Sequence, residues 1–229
     1  MGAKNPVTPA HWGDDLNGVE GQTNGGAQAA PGAGRPRDGV DWNFVLNGSE
    51  GKSSTDGYFP LRDDTSGVTV GQGVDLGSVS RADLQRWGAS QGLVDTLSPY
   101  LGKRGADARA FLNDPNDLRS GFKRPFAISP DDAKLLTDGA RQRTVGDVAR
   151  VYESATGKNF QDLAPEKQTV LVDIAHQTGP TGLRTSFAHG QFWQNVMDDD
   201  WRAARTTLQT MKSDFRCRRD REAGLLSRY

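Results

Sequence analysis

Residues 49–77 read SEGKSSTDGYFPLRDDTSGVTVGQGVDLG, and the rest of the chain is organised around them. The stretch opens with a carboxylate, Glu50, directly after a run in which Trp42, Val45, Leu46 and Ser49 recur at helical spacing. It closes with a second carboxylate, Asp75, inside a glycine-punctuated strand pattern. There Val68, Val70 and Val74 carry the apolar positions, and Ser66-Gly67 and Gly71-Gln72-Gly73 read as tight turns. A turn centred on Gln72 makes Thr69 and Asp75 cross-strand partners, with Cβ atoms about 4.5–5.5 Å apart. On one straight strand they would lie roughly 20 Å apart and could not cooperate. A turn around Ser66 does the same for Asp63 and Thr69. Thr69 is therefore expected on the middle strand of a small meander, with a carboxylate available on either side.

A carboxyl at a helix end, facing a sheet that offers a second carboxyl and a hydroxyl, suits glycoside hydrolysis. One carboxylic acid protonates the leaving oxygen, while a carboxylate and a hydroxyl hold the water that attacks the opposite face of the sugar. The plainer alternative is that Glu50, Asp63, Asp64 and Asp75 are solvated loop charges. Other chemistries find less support. His176 and His189 belong to no Cys/His cluster with metal-ligand spacing, and there is no His-Glu-x-x-His run and no Gly-x-Ser-x-Gly elbow.

Composition sets the outer limits. The 229 residues carry a net charge of −1, with 34% hydrophobic residues and 28 glycines, so part of the chain is not expected to join a core. The near-neutral balance argues against reliance on bulk attraction to nucleic acid or an anionic surface. The single Cys217 excludes an intrachain disulfide. No run approaches 18 apolar residues and the start, MGAKNPVTPAHW, has no hydrophobic signal core. Synthesis in a cytoplasm without a cleaved signal, and no membrane insertion, are the expectations.

Residues 1–38 are rich in Gly, Ala, Pro and Asn with no apolar period, which reads as a flexible tail. The alternative is a docking segment anchored by Trp12 and Leu16. A short helix is expected over 40–49. Ser80-Arg81-Ala82-Asp83 resembles a capping box, and helical patterns follow around 93–101 and 107–112. Ser129-Pro130-Asp131-Asp132 is a strong helix start, with a pattern running to about Ala155. A buried helix carrying Val170, Leu171, Ile174 and Ala175 opens after Pro165. Further helices are expected over 193–197, 201–211 and 215–227. Arg216, Arg218, Arg219 and Arg221 read as a solvated or salt-bridged helix end, and Trp87 and Trp201 as core residues.

Glu50-Gly51, followed by Gly67-Val68-Thr69-Val70-Gly71-Gln72-Gly73-Val74-Asp75-Leu76-Gly77, resembles the active-site segment of phage-type lysozymes. The likeness is closer to the pesticin-like lysozyme domain of bacterial toxins and effectors. The block from Gln168 to Gly182, then Phe187, Trp201-Arg202-Ala203-Ala204 and the Arg-rich end, resembles the helical lobe of that family. This resemblance implies an α+β, two-lobed lysozyme-like fold: a small lobe with a short antiparallel sheet (about 50–128), a connecting helix (about 129–155), and an all-helical lobe (about 156–229 plus the helix 40–49). It also implies a muramidase that cleaves the β-1,4 bond between N-acetylmuramic acid and N-acetylglucosamine in peptidoglycan. Glu50 would be the general acid, and Thr69 with Asp75 would hold the water. Asp63, where the acid of the prototypic phage enzymes stands, is the reserve base, with Asp64 beside it. One Arg of the C-terminal set would lie near Glu50. Gln177 and His176 are candidate substrate-binding residues, Gln177 through a sugar N-acetyl group.

No metal or organic cofactor is implied. The expected state is a monomer acting on glycan strands in the periplasm or wall of a target bacterium after delivery. An immunity protein, and a secretion or virion carrier engaged by the tail, are the candidate partners; no nucleic acid is expected. Two alternatives stay open: an inactive lysozyme-like wall-binding or structural module, and an enzyme acting on a related amino-sugar polymer such as chitin.

Overall fold

The computed structural model describes residues 39–46, 53–60, 66–110, 126–179, 182–185, 187–211 and 216–229. Glu50, Asp63, Asp64 and the tail of residues 1–38 lie outside them.

The helix α5, Pro130–Thr156, is the axis of the molecule. Its start is built as the sequence predicts: the Ser129 hydroxyl accepts from the Asp132 amide, Pro130 occupies the first position, and Asp131 and Asp132 fill the first turn. Gly157 ends it in the left-handed region, at φ 68°. At 1.5 Å per residue the helix spans about 40 Å. Its two halves enter different apolar cores. Leu136 packs in one with Val68, Val70, Val74, Leu76, Leu84 and Leu97. Val145, Val148 and Tyr152 pack in the other with Leu171, Ile174, Phe192, Trp201 and Leu208.

The first core belongs to the small lobe. Its sheet is antiparallel, in the order β1 (Ser54–Tyr58), β2 (Thr69–Gly71), β3 (Val74–Asp75). Val68 and Val70 are fully buried. The three-residue turn Gly71-Gln72-Gly73 between the paired Val70 and Val74 holds Gly71 at φ 63° and Gly73 at φ 77°, left-handed backbone that favours glycine. A β carbon on Gly71 would also stand 2.6 Å from the Thr137 hydroxyl of α5. A short 3₁₀ turn, Leu76–Ser78, leads to α2, Arg81–Trp87, where Ser80 and Asp83 form the predicted capping box. Helices α3 (Gln91–Leu97) and α4 (Gly105–Arg109) complete the described part of this lobe.

The second core is helical. Its centre is α6, Pro165–Thr178, with every residue from Gln168 to Ala175 buried. The short α1, Trp42–Leu46, lies against α6. Around them stand α7 (Gly182–Thr185), α8 (Phe187–Met197), α9 (Trp201–Thr210) and α10 (Arg216–Leu225). The chain entering α1 is stitched to the start of α6: the Gly39 amide donates to Gln168 Oε1 at 3.0 Å and the Asp41 amide to Thr169 Oγ1 at 2.9 Å. An α+β fold with a small sheeted lobe, a helical lobe and a long joining helix is the observed architecture.

One register expectation is corrected. Thr69 does sit on the middle strand, but its partner on β1 is Tyr58, with Ser54 opposite Gly71. The place opposite Thr69 on that side is thus taken by Tyr58 and not by Asp63, which itself lies outside the described residues. The strand the sequence reading missed, STDGY, has no apolar alternation to announce it. Its edge away from β2 is held by the chain at 126–128: Gly57 donates to the Phe126 carbonyl, and Ile128 donates to the Thr55 carbonyl.

Candidate active site

Thr69 and Asp75 are paired across β2 and β3, and Val70 with Val74, as the turn at Gln72 requires. Paired residues project from the same face of a sheet, so the hydroxyl and the carboxyl share a side. Both are anchored on one residue. Asp75 Oδ1 accepts from the Gly67 amide at 2.9 Å, and Thr69 Oγ1 donates to the Gly67 carbonyl at 3.4 Å. Asp75 Oδ1 also accepts from the Gly77 amide at 2.7 Å and so caps the 3₁₀ turn. Its other oxygen faces Arg104 Nη1 at 3.8 Å, and Arg104 Nε donates to the Gly77 carbonyl at 3.0 Å. Position 67 must be glycine for this to close, since a β carbon there would stand 2.5 Å from Asp75 Oδ1 and 2.5 Å from the Gly77 nitrogen. Arg104 is not singled out by the sequence, and Gly67 reads there only as a turn residue. The Gly67 role depends on a side chain eight residues away, and no local pattern around Arg104 points to the sheet.

The helical lobe carries α1, and Glu50 follows the end of that helix by four residues in the sequence, outside the described residues. The last carbonyls of a helix have no partner within it. Here arginines of α10 fill that need: Arg218 Nη2 donates to the Val45 carbonyl at 2.8 Å, and Arg221 Nη2 to the Phe44 carbonyl at 3.2 Å. The Arg221 guanidinium also stacks on the Phe44 ring at 4.6 Å. Positive charge at this end also opposes the helix dipole. Arg218 is itself gripped as a fork by Asp173 of α6, at 2.8 Å from Nε and 2.5 Å from Nη2.

Beside this pair lies a second, buried one. Arg219 (1% exposed) meets Glu222 (0%) at 2.8 Å, and Arg219 also donates to Gln177 Oε1. Burial pushes the Glu222 carboxyl well above its usual range, and the neighbouring carboxylate of Asp173 pushes it the same way; Arg219 and Arg218 only partly oppose this. A proton on Glu222 lets it donate to Asp173, which removes the repulsion between two buried carboxylates. The arginine run is thus largely buried and paired at Arg218 and Arg219, while Arg216 and Arg221 remain exposed. The salt-bridged reading holds for the first two, and the solvated one does not.

His176 lines a small cavity of about 30 Å³ where α1, α5, α6 and the β2–β3 turn meet, with Trp42, Gln72, Thr137 and Arg141 around it. Burial lowers its pKa, and the charges of Arg218 and Arg141 lower it further against the pull of Asp173. Gln177 has its amide oxygen occupied by Arg219, while its Nε2 is buried with no hydrogen-bond partner among the described residues.

Comparison with known proteins bears directly on this arrangement. A family model described as a bacterial toxin homologue of phage lysozyme, C-terminal part (Pesticin), matches residues 39–202. The chain belongs to the pesticin family. A comparison with curated proteins found no match. The matched span takes in both segments that hold the expected catalytic residues, the β2–β3 hairpin and the sequence from α1 to Glu50, and it stops short of α10. The arginines that hold α1 are therefore outside the matched span.

Proposed function

We propose that the chain is a peptidoglycan muramidase cleaving the β-1,4 bond between N-acetylmuramic acid and N-acetylglucosamine with inversion, and that it acts as a delivered antibacterial effector. The observation that carries this reading is the pairing of Thr69 with Asp75 on one face of the hairpin, both fastened to Gly67, in a chain of a lysozyme-homologous toxin family. Glu50 protonates the glycosidic oxygen of the departing N-acetylglucosamine. Water, oriented by Thr69 and Asp75, attacks the anomeric carbon of N-acetylmuramic acid from the opposite face and gives its proton to Asp75. A water between two carboxyls requires about 6.5–9.5 Å of separation, against about 5–5.5 Å for a carboxylate that attacks directly. Gln177 would meet a sugar acetamido group through its amide only if its buried Nε2 is uncovered when substrate binds, and His176 would meet substrate as a neutral imidazole. Delivery into the periplasm of a target cell, an immunity protein in the producer and a carrier bound through residues 1–38 complete the proposal.

One observation favours a second assignment of the base. Asp75 caps the Leu76–Ser78 turn through Oδ1, a structural duty that would suffice to explain it, and Asp63 or Asp64 would then take the proton. Asp75→Asn separates the two: the amide oxygen can still accept from Gly67 and Gly77, but the basic charge is gone. The functional reading itself is tested by digesting purified cell-wall sacculi and identifying the products. Fragments ending in reducing N-acetylmuramic acid, with the α anomer formed first by NMR, are expected. Reducing N-acetylglucosamine ends would refute the bond assignment, and an initial β anomer would refute inversion.

A further inference from the structure

Arg141, near the middle of α5, touches both halves of the site. Its Nη2 donates to Gln72 Oε1 at 2.6 Å, and Gln72 is the turn residue midway between Thr69 and Asp75. Its guanidinium also stacks on the Trp42 ring of α1, 5.2 Å from the centroid, and Trp42 precedes Glu50 by eight residues on the segment that delivers it. The turn is hooked to α5 a second time, by the Gln72 amide donating to Thr137 Oγ1 at 3.1 Å. That hydroxyl is itself spent on the Ala133 carbonyl at 2.8 Å, which fixes its rotamer. These contacts converge on the small cavity between the lobes. There is thus little spare volume for the turn to slide along α5.

We infer that Arg141 is a positioning residue: it sets the hairpin that carries Thr69 and Asp75 against the helix that leads to Glu50. The inference rests on the functional reading above. A general acid and an oriented water must address opposite faces of one anomeric carbon, so their carriers need a fixed mutual register, and a misplacement of about 1 Å can cost on the order of 100-fold in rate. A planar fork is suited to the task, because one guanidinium can donate in its plane to Gln72 while its face lies on Trp42.

The test compares wild type with Arg141→Ala, Gln72→Ala and the double variant on solubilised glycan strands, with native-state hydrogen exchange at the β2–β3 turn as a second readout. The expected result is a fall in kcat of roughly 10- to 100-fold for Arg141→Ala with KM within about twofold, since placement and not ground-state binding is lost. Gln72→Ala should lower kcat in the same way, and the double variant should be no slower than Arg141→Ala alone, because both remove one shared interaction. The Gln72 amide should exchange at least about tenfold faster in Arg141→Ala. Unchanged kcat in Arg141→Ala, a loss confined to KM, or fully additive losses would overturn the inference. Should Arg141→Ala fail to fold, Gln72→Ala reads the same bond from its other end. If wild type hydrolyses no glycan, the functional reading falls, and the clasp is judged by exchange: an unchanged Gln72 amide rate refutes it.

Discussion

The two sides of the cleft are held by different means. On the sheet side, Asp75 is fixed by amides two and eight residues away along the chain, and Thr69 by a carbonyl two residues away. On the helix side, α1 is fixed by partners 128 to 177 residues distant: Thr169 and Gln168 at its entrance, Arg218 and Arg221 at its end. The apolar cluster under the hairpin is aliphatic and aromatic, and the charged residue buried among the described residues of that lobe, Asp83, lies at its margin paired with Arg86 and Arg143. The helical lobe buries Asp173, Arg219 and Glu222 inside its apolar core. The register of Thr69 and Asp75 is set by contacts within a few residues, whereas the ionic set needs helices distant in sequence brought together.

The sharpest way to break this contrast is to remove one charge from the buried set. Arg219→Ala leaves the buried Glu222 without its ion-pair partner and the Gln177 amide oxygen without its donor, and is expected to cost about 3–5 kcal/mol in urea unfolding. Glu222→Gln, which mimics the protonated carboxyl, should cost far less in the same measurement. Equal losses would mean that Glu222 is ionised in the folded protein. On the sheet side, Gly67→Ala drives a methyl into Asp75 Oδ1 and the Gly77 amide. A loss of about 1–3 kcal/mol is expected, together with a fall in hydrolysis out of proportion to it. Unchanged hydrolysis would show that Gly67 does not place the pair.

A smaller effect, in pH dependence, sharpens the comparison at the boundary of the two sides. His176 titrates near 6.5 in the unfolded chain and lower in the folded one, because burial and the cations Arg218 and Arg141 resist a further positive charge. Below about pH 6.5 the unfolded state binds more protons, so stability falls as pH drops through the window between the two values. His176→Gln should flatten that part of the stability–pH curve. An unchanged slope would place the acid sensitivity in other groups.

How much of this was legible from sequence follows the same division. The Thr69–Asp75 register, the capping box at Ser80 and Asp83, and the start of α5 at Ser129-Pro130 rest on residues a few positions apart, so their chemistry is visible in a short window. The register of β1 was misjudged because its strand is polar and is paired with Phe126 and Ile128 from far along the chain. Arg218 and Arg219 read as a charged helix face because their partners, Asp173 and Gln177, stand on a helix more than 40 residues earlier. Gln177 reads as a candidate for a sugar N-acetyl group, and its bond to Arg219 through the amide oxygen could not be foreseen from residues 42 positions apart. A charge run in sequence shows only that counter-charges are needed, not where they are.

The central claim is that the hairpin pair Thr69 and Asp75 forms the water-holding half of a muramidase whose acid is Glu50. Its most direct test is the rate of muropeptide release from purified sacculi by wild type, Glu50→Gln, Asp75→Asn and Asp63→Asn, with a melting curve recorded for each. Release should fall by about 100-fold or more in Glu50→Gln and Asp75→Asn, the scale of a lost general acid or base, with the melting curves unmoved and Asp63→Asn close to wild type. Wild-type release by Asp75→Asn, with the loss appearing in Asp63→Asn instead, would contradict the account.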